Sequence, residues 1–144
     1  MRCKLLYVEE HAENVALVET LLAGRKDLRL LHAADAKLGI KLARAKRPEA
    51  ILIDVDLAGM SALEFMKVLR ADPATETTPV LALGANATPA AVVKALEAGF
   101  FHYLTKPLQA GPFMEALAFA LEFAAVERSE RNPLLTRQPL KESR

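Results

Sequence analysis

Two adjacent glutamates, one aspartate and one lysine-proline step carry the chemistry that this sequence offers: Glu9-Glu10, Asp54 and Lys106-Pro107. The acids follow apolar runs, Leu5-Leu6-Tyr7-Val8 and Ile51-Leu52-Ile53, and Thr105-Lys106-Pro107 closes a third segment. Carboxylates brought together repel one another, so their joint ionisation calls for a cation. Lys106 supplies one fixed positive charge, and a hard divalent ion with oxygen ligands would complete the balance. Asp54, lying between the other two sources of charge, has the type and setting of a nucleophile toward a phosphoryl group. Each feature alone is ordinary. Strand-end aspartates cap helices, Glu-Glu pairs are solvated, and Lys-Pro is a common dipeptide, here compatible with a cis bond at a tight turn. The order of all three along the chain carries the weight.

The elements that must position these groups are legible as alternating patterns. Lys4–Val8, Ala50–Ile53 and Pro79–Leu83 are apolar without alternation, as strands of a parallel sheet covered on both faces should be. Leu28–His32 and Phe101–Leu104 are weaker strand candidates. Between them, Val15, Val18 and Leu22 share one face of a first helix, and Leu38, Leu42 and Ala45 one face of a second. A third helix runs from about Ser61 to Ala71, with Leu63, Met66 and Leu69 or Arg70 on its inner edge. The fourth opens at Thr88-Pro89 and closes near Gly99; the fifth follows Gly111-Pro112 and continues to about Arg128. These units predict an α/β fold, a flavodoxin-like doubly wound five-stranded parallel sheet of order 2-1-3-4-5 with five helices. That order places a crevice at the carboxyl ends of the first and third strands.

Bulk properties bound the function. The chain has 144 residues, 52% of them apolar, which suits one packed domain of roughly residues 1–128. Residues 129–144, with Pro133 and Pro139 and no sustained periodicity, read as a flexible tail. A net charge of +1 gives no field suited to nucleic acid or a membrane surface. One cysteine, Cys3, excludes an internal disulfide and a Cys-rich metal site. Without a secretory pattern or a membrane-length apolar run, a soluble cytoplasmic protein is expected.

Taken jointly, the motifs resemble the CheY-like receiver domains of response regulators. Leu5-Leu6-Tyr7-Val8-Glu9-Glu10 looks like the family's first strand and acidic pair, and Ile51 to Met60 like the segment carrying its phosphoacceptor. Pro79–Leu83 and Ala98 to Leu108 are similar to its fourth and fifth strand regions, so the likeness runs from residue 3 to about 126. The resemblance implies that Asp54 accepts a phosphoryl group from a phosphohistidine on a sensor histidine kinase or phosphotransfer protein. It implies that Glu10, Asp54 and the backbone carbonyl of Asp56 surround Mg²⁺, Glu9 assisting through water, and that Lys106 pairs with the phosphoryl oxygens. Tyr103 would be the aromatic switch, or else an ordinary half-buried strand residue. Such a domain is a phosphoacceptor that assists its own phosphotransfer and dephosphorylation, not an enzyme, and a single-domain form signals through protein contacts.

Two positions depart from the family pattern. The second acid is Glu10 rather than Asp, and the added methylene shifts the carboxylate in a site where Mg²⁺ tolerates little deviation. The fourth strand ends in Gly84 where Ser or Thr is usual, leaving a backbone N–H without a hydroxyl. Small Ala85 beside it leaves the pocket open to a phosphodonor. Loss of the hydroxyl suggests a weakened switch that Gly84→Thr would strengthen, unless Asn86 or a water takes its place. Both departures favour an alternative, a pseudo-receiver that signals without phosphorylation; intact Asp54 and Lys106 oppose it. A flavodoxin-like enzyme or nucleotide binder is disfavoured by the absence of a Gly-rich phosphate loop or flavin loop after the first strand. His11 reads as a surface residue at a helix start.

The fifth helix is more apolar than one core face requires. Phe113, Leu117, Ala120 and Ala124 form one stripe, and Phe119, Phe123 and Val126 a second. The second stripe either meets a partner, including a second copy in a homodimer, or folds onto a neighbouring helix or the tail.

Overall fold

Continuous aliphatic runs become central strands because only a strand covered on both faces has no use for polar alternation. In the computed structural model, which describes residues 2–57 and 59–131, these runs are β1 (Cys3–Val8), β3 (Ala50–Asp54) and β4 (Val80–Gly84). Every residue of β3 and β4 is buried. The weaker candidates, β2 (Leu28–Ala33) and β5 (His102–Thr105), lie at the two edges of an all-parallel sheet of order β2-β1-β3-β4-β5. Their mixed polarity is the mark of an edge, where one side of the ladder meets solvent. The expected fold class and strand order are both present.

Helices α1 (Ala12–Leu22), α2 (Ala36–Lys46), α3 (Ala62–Arg70) and α4 (Pro89–Glu97) fill the four crossovers, and α5 (Ala110–Arg131) follows β5. Leu5, Leu52 and Leu83 meet Val18 of α1 and Phe113 and Leu117 of α5 on one face of the sheet. Leu6, Val8, Ile51 and Ile53 meet Ile40 of α2 and Phe65, Met66 and Leu69 of α3 on the other. Side chains so fully buried contribute about 1.5–3 kcal/mol each. Local caps fix where the helices start. Asp35 accepts from the Leu38 N–H at 2.8 Å, and Thr88 from the Ala91 N–H before Pro89. Ser61 and Glu64 form a reciprocal capping box on α3.

Several inner faces differ from those expected. In α2, Ala36, Gly39, Ile40 and Ala43 are buried, while Leu38 is exposed. The reason is close approach: a Cβ on Gly39 would lie 2.8 Å from Val8 Cγ2, so the helix rests on its small residues. In α3, Phe65 joins Met66 and Leu69 inside, and Leu63 faces out. The longer α5 passes the expected end at Arg128, so residues 129–131 are helical rather than tail. The remainder of the expected tail lies outside the described residues. Near its far end, exposed Arg128 pairs with the buried carboxylate of Glu49, which also accepts the Lys4 N–H.

Candidate functional site

Parallel register levels the strand ends where the charged residues sit. Val8 pairs with Ile53, Asp54 with Leu83 and Gly84 with Thr105. The ladder continues one step beyond the strands: Glu9 N–H donates to Ala33 O, Val55 N–H to Leu83 O and Lys106 N–H to Gly84 O, each at 2.9 Å. Lys106 is thereby fixed beside the end of β4, and its bond to Pro107 is cis.

Asp54 is 4% exposed. Its Oδ1 accepts from Lys106 Nζ at 2.9 Å and from the Asp56 N–H at 2.8 Å. The same ammonium lies 3.1 Å from Asp56 Oδ2, which also accepts the Ala85 N–H at 3.2 Å. Burial pulls the Lys106 pKa down, but hydrogen bonds and charge from Asp54 and Asp56 outweigh it and hold the ammonium above its ordinary range. A largely buried carboxylate is thus clamped by one fixed cation, with a second acid and a loop N–H within reach.

The acidic pair divides. Just past β1, Glu9 is fully buried and Glu10, in the bend that follows, is exposed. Glu9 Oε1 accepts from the Tyr7 hydroxyl and Oε2 from the His11 N–H, each at 3.0 Å. Tyr7 is a site residue that the sequence reading passed over as core. Its signal was a lone hydroxyl in an otherwise aliphatic central strand. Burial first, then the charge of Glu9 and the bond to it, push its phenol far above the ordinary value. His11 is exposed and contributes its backbone rather than its ring to this network.

The expected Mg²⁺ ligands do not converge here. Among the described residues no three His, Cys, Asp or Glu side chains gather into a metal-binding group. Both oxygens of Glu9 are engaged, Glu10 faces solvent, and Lys106 occupies Asp54 Oδ1. The arrangement does not fit a ready divalent site, and its charge is balanced by an ammonium and backbone N–H groups.

Gly84 has a steric role that sequence alone did not reveal. A Cβ there would lie 2.3 Å from Tyr103 Oη and 2.7 Å from Val55 Cγ2. The tyrosine rests over the end of β4, half-buried, and donates to Asn86 O at 2.7 Å. It fills the space that a Ser or Thr side chain would need. A side chain at position 84 therefore requires the hydroxyl end of Tyr103 and the Val55 methyl to shift aside. Nor does Asn86 substitute for the hydroxyl through its side chain, whose oxygen accepts the Thr88 N–H at 3.0 Å. Burial, then the charge of Asp56, raise the Tyr103 phenol pKa.

Phe119, Phe123 and Val126 lie outside this crevice, exposed on α5, as does the outer face of α4, which has no buried residue. Phe123 leans on Phe101 with ring centroids 5.4 Å apart.

Known proteins give the arrangement its context. The profile of the response regulator receiver domain matches residues 5–118. The polar-differentiation response regulator DivK of Brucella anthropi is 30% identical over 115 residues, 78% of this chain and 91% of DivK. Protein-glutamate methylesterase/protein-glutamine glutaminase 1 of Myxococcus xanthus is 28% identical over 130 residues, 89% of this chain. The chain spans 36% of that protein's length, and 18% of the sensory/regulatory protein RpfC of Xanthomonas campestris. Among solved structures, chemotaxis response regulator CheY4 of Vibrio cholerae aligns with a TM-score of 0.76 at 24% identity, covering 84% of this chain and 100% of that one. The chain belongs to the response regulator receiver domain family of two-component signalling.

Proposed function

We propose that Asp54 is the phosphoacceptor of a phosphorelay, receiving its phosphoryl group from a phosphohistidine on a sensor histidine kinase or phosphotransfer protein. The observation that carries this reading is the buried Asp54 carboxylate held 2.9 Å from the Lys106 ammonium. A carboxylate oxygen attacks phosphorus as the P–N bond breaks. The bonding pair passes to the imidazole nitrogen, which takes up a proton, and an acyl phosphate remains on Asp54. Charge on the transferred oxygens is met by Lys106 Nζ and by backbone N–H groups such as that of Ala85. The domain in this reading is a phosphoacceptor rather than an enzyme with an external substrate, and its output is a protein contact. The exposed stripe of Phe119, Phe123 and Val126 supports such a contact, with a second copy as the partner to test first. No described helix is long and apolar enough to cross a membrane.

A second reading, a pseudo-receiver that signals without phosphorylation, is favoured by the dispersed acids and by Tyr103 seated over Gly84. The two separate on incubation with phosphoramidate, with and without Mg²⁺, followed by intact mass. One added phosphoryl group on the wild type and none on Asp54→Asn supports the phosphoacceptor. No addition to the wild type in either condition leaves the pseudo-receiver.

A further inference from the structure

The donors that an acyl phosphate on Asp54 would need are already in use. Asp56 Oδ2 accepts from Lys106 Nζ at 3.1 Å and from the Ala85 N–H at 3.2 Å, so one internal oxyanion joins the loop after β4 to the loop after β5. The Asp56 N–H is meanwhile tied to Asp54 Oδ1 at 2.8 Å, which fixes the second acid immediately beside the first. Directly after Ala85, the Asn86 carbonyl receives the Tyr103 hydroxyl at 2.7 Å. Asp56, Ala85, Asn86 and Tyr103 thus form one connected path from the crevice to the outer edge of the sheet.

We propose that Asp56 is a built-in anion occupying the oxyanion subsite of Asp54, a positioning residue that holds the loop after β4 and Tyr103 in an anion-bound arrangement before any phosphoryl group arrives. The inference rests on the phosphoacceptor reading only for its consequence: an incoming phosphoryl group must displace the Asp56 carboxylate from Lys106 and the Ala85 N–H. Several features of the molecule converge on it. Lys106 bridges two carboxylates rather than one. Asp56 is about half exposed, so its side chain can leave the subsite for water without crossing the core. Gly84 provides the room in which Tyr103 sits while the loop is held. An ion pair this exposed is worth little in free energy, so displacement slows transfer modestly rather than blocking it.

The test compares the full chain with Asp56→Asn, which removes the charge and keeps the shape, and with Asp56→Glu, which restores the charge. The first readout needs no phosphodonor: the amide resonances of Ala85 and Asn86 in ¹H–¹⁵N spectra. We expect the Ala85 amide to move in Asp56→Asn and to return toward its original position in Asp56→Glu, with Tyr103 ring resonances following. The second is the rate of Asp54 phosphorylation by phosphoramidate, expected to rise about two- to fivefold in Asp56→Asn, the range of one exposed ion pair. An Ala85 amide unmoved by Asp56→Asn overturns the proposal, as does an unchanged or slower rate in that variant. If neither protein takes up a phosphoryl group, the phosphoacceptor reading fails, and the Ala85 amide still decides whether Asp56 holds the loop.

Discussion

The crevice at the ends of β1, β3 and β5 and the outer surfaces of α4 and α5 are built on opposite terms. In the crevice, Glu9, Asp54 and Asp56 each have identified hydrogen-bond partners, and the first two are buried. On the outer face, α4 buries none of its residues, and Val93, Leu96, Phe119 and Val126 stand in solvent. Chemistry on a carboxylate needs groups fixed within tenths of an ångström, whereas a recognition face needs apolar area still available for burial. The molecule is therefore tightly packed around Asp54 and leaves apolar area open on the outside of α4 and α5. Tyr103 stands between the two, its ring packed toward the α2–α3 layer and its hydroxyl on the loop that leads into α4.

Substitution on the rigid side should cost the most. Tyr7→Phe leaves the buried Glu9 carboxylate without one of its donors, and we expect a loss of about 1.5–3 kcal/mol in denaturant unfolding. The variant also carries a pH signature. The Tyr7 phenol is held above its ordinary value by burial and by Glu9, so the folded state keeps its proton where the unfolded chain has lost it. That contribution is complete below about pH 10 and is lost as pH rises beyond it, so Tyr7→Phe should show a shallower alkaline decline.

At the junction, Gly84→Thr should expel Tyr103 and break its bond to Asn86, with a loss of roughly 1–3 kcal/mol. Combining it with Tyr103→Ala should recover part of that loss in a double-mutant cycle, since the clash then has no second party. Additive effects would mean that the tyrosine does not occupy the space. Glu10→Asp should change stability by less than about 0.5 kcal/mol in denaturant unfolding, because Glu10 is exposed. On the open side, Phe123→Glu should cost about 0.5–1.5 kcal/mol through the lost ring contact with Phe101 and shift any dimer seen in sedimentation toward monomer. A monomer at high concentration before and after the change would dissolve the dimer proposal.

The parts that sequence disclosed were those dictated by strong, local physics. β1, β3 and β4 were visible because a doubly covered strand has to be aliphatic, and β2 and β5 were faint because edges are not. Asp54 and Lys106 were legible as a pair because chain order and topology together force them to one end of the sheet. On α3 the expected Met66 and Leu69 are inside, with Phe65 in place of Leu63; on α2 Leu38 was wrongly assigned inward, because the close approach of Gly39 to Val8 of β1 is a matter of helix–sheet distance, which periodicity does not encode. The Glu9-Glu10 pair was treated as a unit, although the chain bends away after Glu9 and leaves only that one inside. The steric bargain between Gly84 and Tyr103 links residues on different strands, and no spacing along the chain announces it.

The Arg128–Glu49 pair anchors α5 at the amino end of β3, remote from Asp54, while Phe113 and Leu117 seat its opening turns. A rod moored at both ends makes a poor lever. If Asp54 takes up a phosphoryl group, the message would then pass as a local change in loop and ring, delivered onto a stationary helical platform.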